Sequence, residues 1–173
     1  MKLIPAVAVV GLLAFTPVFA GGLSEKSQAI TLEFSWADVD NGPETTNLNG
    51  SYLYGLKKGL IQLGAFVEYL DIEDEFGQST DATNIGPLIE INFLPDRVAT
   101  PFIGAFVGTV GGDVGDFYDL SYGAAVGVKF FVGNSASVNL ALSFATLDAS
   151  EAGFEDIDVT AFTAGFSIYF GGR

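Results

Sequence analysis

The 173-residue chain contains no cysteine and no histidine. Without cysteine there are no disulfides and no thiolate metal sites. Without histidine the commonest general base and the commonest metal ligand are missing. The nucleophile–histidine pairs that run most hydrolytic and acyl-transfer chemistry therefore cannot be assembled, and no enzymatic activity is expected. Serines such as Ser121 and Ser143 read instead as small filler residues. Basic side chains are also scarce, 7 against 21 acidic, for a formal charge of −14. That balance repels phosphates and sets nucleic acid aside as a partner. No uninterrupted apolar run reaches the roughly 18 residues that mark a transmembrane helix. What is abundant is apolar content spread in short pieces: 49% of residues are hydrophobic, with 16 Phe and 22 Gly, in a length that suits one domain.

The first twenty residues have their own grammar. Lys2 precedes an apolar run from Leu3 to Phe15, and Thr16-Pro17-Val18-Phe19-Ala20 closes it with a small residue. This is the layout of a secretory signal peptide, with cleavage expected after Ala20. A short buried helix is the plainer alternative. The absence of a cysteine after the site argues against a lipoprotein. The mature domain would span residues 21–173 with six basic against 21 acidic side chains, a formal −15.

Beyond the leader, apolar residues recur with a period of two, which places them on one face of a strand. The pattern predicts eight strands: Gln28–Ala37, Asn47–Leu56, Leu60–Leu70, Asn84–Leu94, Thr100–Thr109, Leu120–Phe131, Ala136–Thr146 and Ala161–Phe170. Ile30, Leu32, Phe34 and Trp36 share one face of the first strand; Leu63, Ala65, Val67 and Tyr69 share one face of the third. In the fifth strand the facing is set by glycine: Gly104 and Gly108 go with the inner face, so Ile103 and Val107 point outward. Each segment has about ten residues, the length a tilted strand needs to cross a bilayer. Pro87 lacks a ladder donor, so a bulge is expected there.

The connections alternate. Lys57–Gly59, Pro95–Val98 and Val132–Ser135 are short, whereas Asp38–Thr46, Asp71–Thr83, Val110–Asp119 and Asp148–Ile157 are long. The long connections and their flanks hold 16 of the 21 carboxylates and no Lys or Arg. Lys26, Lys57, Lys58, Arg97 and Arg173 fall at the other end. Short turns on the periplasmic side and long loops outside are the layout of an outer-membrane barrel.

The last strand carries no charge on either face. Phe162, Ala164, Phe166, Ile168 and Phe170 alternate with Ala161, Thr163, Gly165, Ser167 and Tyr169. A strand greasy on one side and small or weakly polar on the other suits a barrel wall in lipid. The order Thr163, Gly165, Ile168, Phe170 resembles the C-terminal insertion signal read by the barrel-assembly machinery of bacterial outer membranes. It departs in that Gly171-Gly172-Arg173 follows the final Phe. From Gln28 to Phe170 the arrangement resembles the small eight-stranded outer-membrane barrels of the OmpA, OmpX and opacity-protein type. That resemblance implies an all-β, antiparallel, up-and-down transmembrane barrel serving envelope stability or surface interaction, and it names no catalytic residue.

The most pointed internal feature is a set of charges on the inner face: Glu33, Glu68, Glu90 and Lys129. An eight-stranded barrel has an interior just wide enough for its side chains. A lone charge there is costly, so Lys129 is expected to pair with Glu33 or Glu90, as a structural plug or as part of a narrow gated pore. In the acidic loops Asp71, Glu73, Asp74, Glu75, Asp113 and Asp116 are weak candidates for divalent cations, which take carboxylate oxygens. A solvated, repulsive surface is the simpler reading. A soluble lipocalin-type barrel would have to expose a face of Gly, Ala, Ser, Asn and Thr with Lys129 as its only cation, too little charge for a soluble exterior. The expectation is therefore an exported, monomeric outer-membrane barrel in contact with outer-membrane lipid, without a cofactor. Its role would be structural or in surface interaction through acidic loops; the alternative is a small channel for solutes or apolar molecules.

Overall fold

A computed structural model describes residues 23–39, 45–73, 79–150 and 154–171. The expected cleavage site at Ala20 lies outside these residues. Eight strands form one closed antiparallel barrel in chain order: β1 (Gln28–Val39), β2 (Thr45–Leu56), β3 (Ile61–Glu73), β4 (Ser79–Asn92), β5 (Ala99–Gly112), β6 (Tyr118–Phe131), β7 (Ala136–Ala149) and β8 (Ile157–Phe170). β1 closes the ring on β8, with Ala29 opposite Tyr169 and Ser35 opposite Thr163. Closure leaves no unpaired edge, which a lipid environment would penalise heavily.

The period-two pattern becomes two surfaces. Ile30, Phe34, Val67, Ile85, Ile103, Val107, Phe166 and Ile168 are each at least 40% exposed on the outer wall. Leu53, Phe66, Phe102, Lys129, Asn139 and Ser167 are buried on the inner one. Trp36 and Phe162 stack on the outer wall with ring centroids 6.3 Å apart.

Two details differ from the sequence reading. The strands run beyond their predicted ends toward the long loops: β4 starts at Ser79 and β8 at Ile157, while β3 continues to Glu73 and β7 to Ala149. The ladder needs only backbone donors and acceptors, so it continues where side chains no longer alternate. Asp71, Glu73, Asp81, Asp148 and Asp158 thus sit on strand extensions. The bulge expected at Pro87 is absent. Pairing between β4 and β5 is interrupted at Gly86 and Pro87, but the register is the same on either side, with Ile85 opposite Thr109 and Leu88 opposite Phe106. Pro87 stays in register with Ala65 of β3, so the missing donor opens the ladder on one side only. The register does slip by one residue elsewhere, between Tyr118 and Leu120 against β7.

The short-turn end is closed by the start of the described chain. Leu23 donates its backbone N–H to Pro95 at 2.8 Å, Lys26 to Gly55 at 2.9 Å, and Gly55 returns a bond to Ser27 at 2.7 Å. Leu23, 3% exposed, packs with Ala29, Leu53, Phe131 and Tyr169. Gly59 ends the β2–β3 turn at φ +79°, a conformation that favours glycine, and any Cβ there would run into Leu23.

Candidate functional site in the barrel lumen

The interior is layered. Nearest the short turns lies a dense polar layer in which Gln62, Asn92, Thr100, Lys129, Ser137 and Ser167 are almost wholly buried. Lys129 Nζ donates to Glu90 in an ion pair and to Gln62 Oε1 at 2.7 Å. Asn92 Nδ2 donates to the same Gln62 oxygen at 3.1 Å and to the Gly59 carbonyl at 3.2 Å. On the other wall Ser137 donates to Asn139 Oδ1, and Asn139 Nδ2 donates to Ser167, both at 2.8 Å; the Thr31 and Ser167 hydroxyls are also 2.8 Å apart. Polar groups removed from water are tolerated where such partners exist. The Lys129 ammonium also lies 5.1 Å from the centroid of the Phe102 ring, within cation–π range.

Of the four inward charges, then, Lys129 and Glu90 form a pair. Among the described residues Glu33 has no cation as direct partner. It occupies a row that runs across the first three strands, with Asn49 opposite it and Glu68 opposite Asn49. Glu68 accepts from Asn47 Nδ2 at 2.8 Å and Asn84 Nδ2 at 3.3 Å, and Asn84 Oδ1 in turn accepts from Ser121 at 2.8 Å. Amide donors rather than a cation satisfy this carboxylate.

On the loop side of the polar layer is a cavity of about 120 Å³ that takes in this row, bordered by Glu33, Glu68, Glu90, Phe66, Phe102 and Phe106. Its size is governed by a pairing rule. Phe66 lies opposite Gly86, Phe102 opposite Gly127 and Phe106 opposite Gly123. A Cβ built on Gly127 or Gly123 would strike the facing phenyl ring, at 2.6 and 2.7 Å respectively. Gly123 and Gly127 leave space that the facing rings lie across, and the Phe66 ring lies against Gly108, so these small inner residues do not add up to an open bore. Phe66 and Phe106 meet edge to face at 5.5 Å and 72°.

Leu23, Phe131, Tyr169 and Gln62 complete the closure alongside the inward charges. Phe131 and Tyr169 share the inner parity of Lys129 and Ser167, and parity alone would have found them. Leu23 precedes the first strand and has no alternation signal.

The insertion-signal residues split between the faces. Thr163 is buried and Gly165 lies opposite Glu33, while Ile168 and Phe170 are 52% and 41% exposed on the outer wall. Of the cation candidates, Asp113 and Asp116 are exposed on a short 3₁₀ turn, Asp113–Asp116. Asp71 and Glu73 belong to β3, and Asp74 and Glu75 lie outside the described residues. Among the described residues no three carboxylates are grouped to hold a metal ion.

No family model and no curated protein matches this chain. Solved structures do. Neisserial surface protein A (NspA) superposes with a TM-score of 0.65 at 13% identity, covering 83% of this chain and 96% of that one. A de novo designed transmembrane β-barrel gives 0.57 at 10% identity, covering 86% and 99%. The outer-membrane protein OprG from Pseudomonas aeruginosa gives 0.52 at 13% identity, covering 89% and 100%. The fold is that of the small eight-stranded membrane barrels. At these identities the likeness concerns architecture, and the content of this barrel's lumen and loops is its own.

Proposed function

We infer that the chain is an exported, monomeric outer-membrane protein, matured by cleavage after Ala20, whose role is non-enzymatic: envelope structure or surface interaction through its acidic loops. Outer-membrane lipid would surround the apolar wall, and the Thr163, Gly165, Ile168, Phe170 pattern would serve the assembly machinery during insertion. The observation that carries the reading is the closed layer around Lys129, whose hydrogen-bonded side chains span the lumen at the short-turn end. At the opposite end Asp113, Asp116, Asp119, Asp148, Glu155 and Asp156 are all exposed. Such a molecule holds its lumen shut and presents charge outward. Divalent cations bridging these carboxylates to anionic headgroups would be an accessory to that role.

The 120 Å³ cavity favours a second reading, a small channel for solutes or apolar molecules, in which the Lys129 layer would open. Planar-bilayer conductance of the refolded mature chain separates the two. Silence from a barrel shown to be folded is expected; steady, reproducible openings would overturn the closed-lumen reading.

A further inference from the structure

The two long hairpins β5–β6 and β7–β8 are joined above the wall. Ser150 donates its backbone N–H to the Phe117 carbonyl at 2.9 Å, and the Phe117 and Phe154 rings lie 4.9 Å apart, with Tyr118 6.5 Å from Phe154. Tilted and edge-on aromatic packing of this kind holds a cluster together. The two phenylalanines remain 40% and 46% exposed. They stand beyond the ends of the strands, Phe117 before β6 and Phe154 before β8. Tyr122 and Phe144 are the exposed outer-wall aromatics of β6 and β7 in these two hairpins. With a rise of about 3.3 Å per residue and a tilt of about 40°, Phe117 sits roughly 13 Å farther along the barrel axis than Tyr122. Exposed rings in water, joined across a seam between two hairpins, are a surface without its partner.

Charge decides what that partner is. Asp113, Asp116 and Asp119 flank Phe117, and Asp148, Glu155 and Asp156 flank Phe154. Asp156 is held in place by the Ala149 N–H at 3.1 Å. No Lys or Arg occurs from Val98 to Val128 or from Phe130 to Gly172. Anionic headgroups, nucleic acid and a second copy of this chain would all meet like charge here. A neutral apolar partner would cover the rings but strip water from unpaired carboxylates. A polypeptide segment rich in arginine meets both demands, since a guanidinium stacks on an aromatic face and forks onto a carboxylate. We propose that the Phe117–Tyr118–Phe154 cluster is a docking surface for a cationic, arginine-containing polypeptide segment. This rests on the surface-interaction reading and names its partner chemistry.

The test uses the full mature chain in nanodiscs of zwitterionic lipid, so that the bilayer does not itself bind the probe. The probe is a fluorescent peptide of alternating Arg and Leu, followed by anisotropy. The Phe117→Leu/Phe154→Leu variant keeps apolar volume and net charge but removes the π faces; it is expected to bind about tenfold more weakly, the loss of roughly two cation–π contacts. Asp113→Asn/Asp116→Asn, with the rings intact, is expected to weaken binding and reduce its salt dependence. Heat-dependent gel mobility checks that each variant is folded. A leucine variant that binds like wild type overturns the docking surface and leaves the acidic loops as a diffuse attractor, so the surface-interaction reading survives. No binding by wild type overturns the proposed partner chemistry, while the bilayer experiment still judges the closed-lumen reading on its own.

Discussion

Lys129→Met should be the most informative single change in the lumen. Methionine roughly matches the volume of the lysine stem, so little cavity is created. What is lost is the ammonium, 2% exposed, that serves both Glu90 and Gln62 Oε1. Removing one partner of a buried ion pair costs about 3–5 kcal/mol, because the other charge stays behind unpaired. Glu90 is 12% exposed and borders the cavity, where water can reach it, so the lower end, about 3 kcal/mol, is expected. In Lys129→Met/Glu90→Gln the carboxylate that Lys129 pairs with is removed as well, and stability should return to within about 1 kcal/mol of wild type. The recovery, roughly 2 kcal/mol in a double-mutant cycle, isolates the pair from packing effects. Urea unfolding in lipid vesicles would measure it through Trp36, the chain's single tryptophan, 44% exposed on the outer wall. A Lys129→Met chain within about 1 kcal/mol of wild type, or a double variant as unstable as the single, would refute the pairing argument.

Two further outcomes follow from the packing. Leu23→Ala should lower stability by about 2–4 kcal/mol in the same unfolding assay, since it empties a contact with Leu53, Phe131 and Tyr169; no change would mean that the segment before β1 does not close the barrel. Gly64→Ala should fail to refold, because its Cβ would meet the Tyr52 carbonyl oxygen well inside van der Waals contact. Gly104→Ala, whose Cβ would find Ile89 O at 3.5 Å and Glu90 Cγ at 3.6 Å, should refold normally on a gel-mobility assay.

The barrel was legible in the sequence because its two faces meet different solvents. Lipid demands an unbroken apolar outer face, and the narrow lumen demands small or polar residues, so alternation located all eight strands and their facing, including the glycine-set facing of β5. Strand ends were less visible. β4 begins at Ser79 rather than Asn84 because past the lipid boundary neither face has to be apolar. The partner of Lys129 was open between Glu33 and Glu90, since its in-register neighbours are Thr100 and Asn139 and the ion pair reaches past them to β4. The placing of Phe66, Phe102 and Phe106 opposite glycines needs the register, which composition does not contain.

The position of Leu23 ties together parts of the chain that are far apart in order. Its amide is bonded to the β4–β5 turn, its side chain lies against Gly59 of the β2–β3 turn, and its cluster includes Phe131 from β6 and Tyr169 from β8. These groups come into one place only when the first and last strands have met. Leu23 therefore acts as a clasp that can fasten only after the ring is complete and that must release when β1 and β8 part. Exchange of its amide hydrogen would keep time with the making and breaking of that seam, a direct clock for assembly placed just ahead of the first strand.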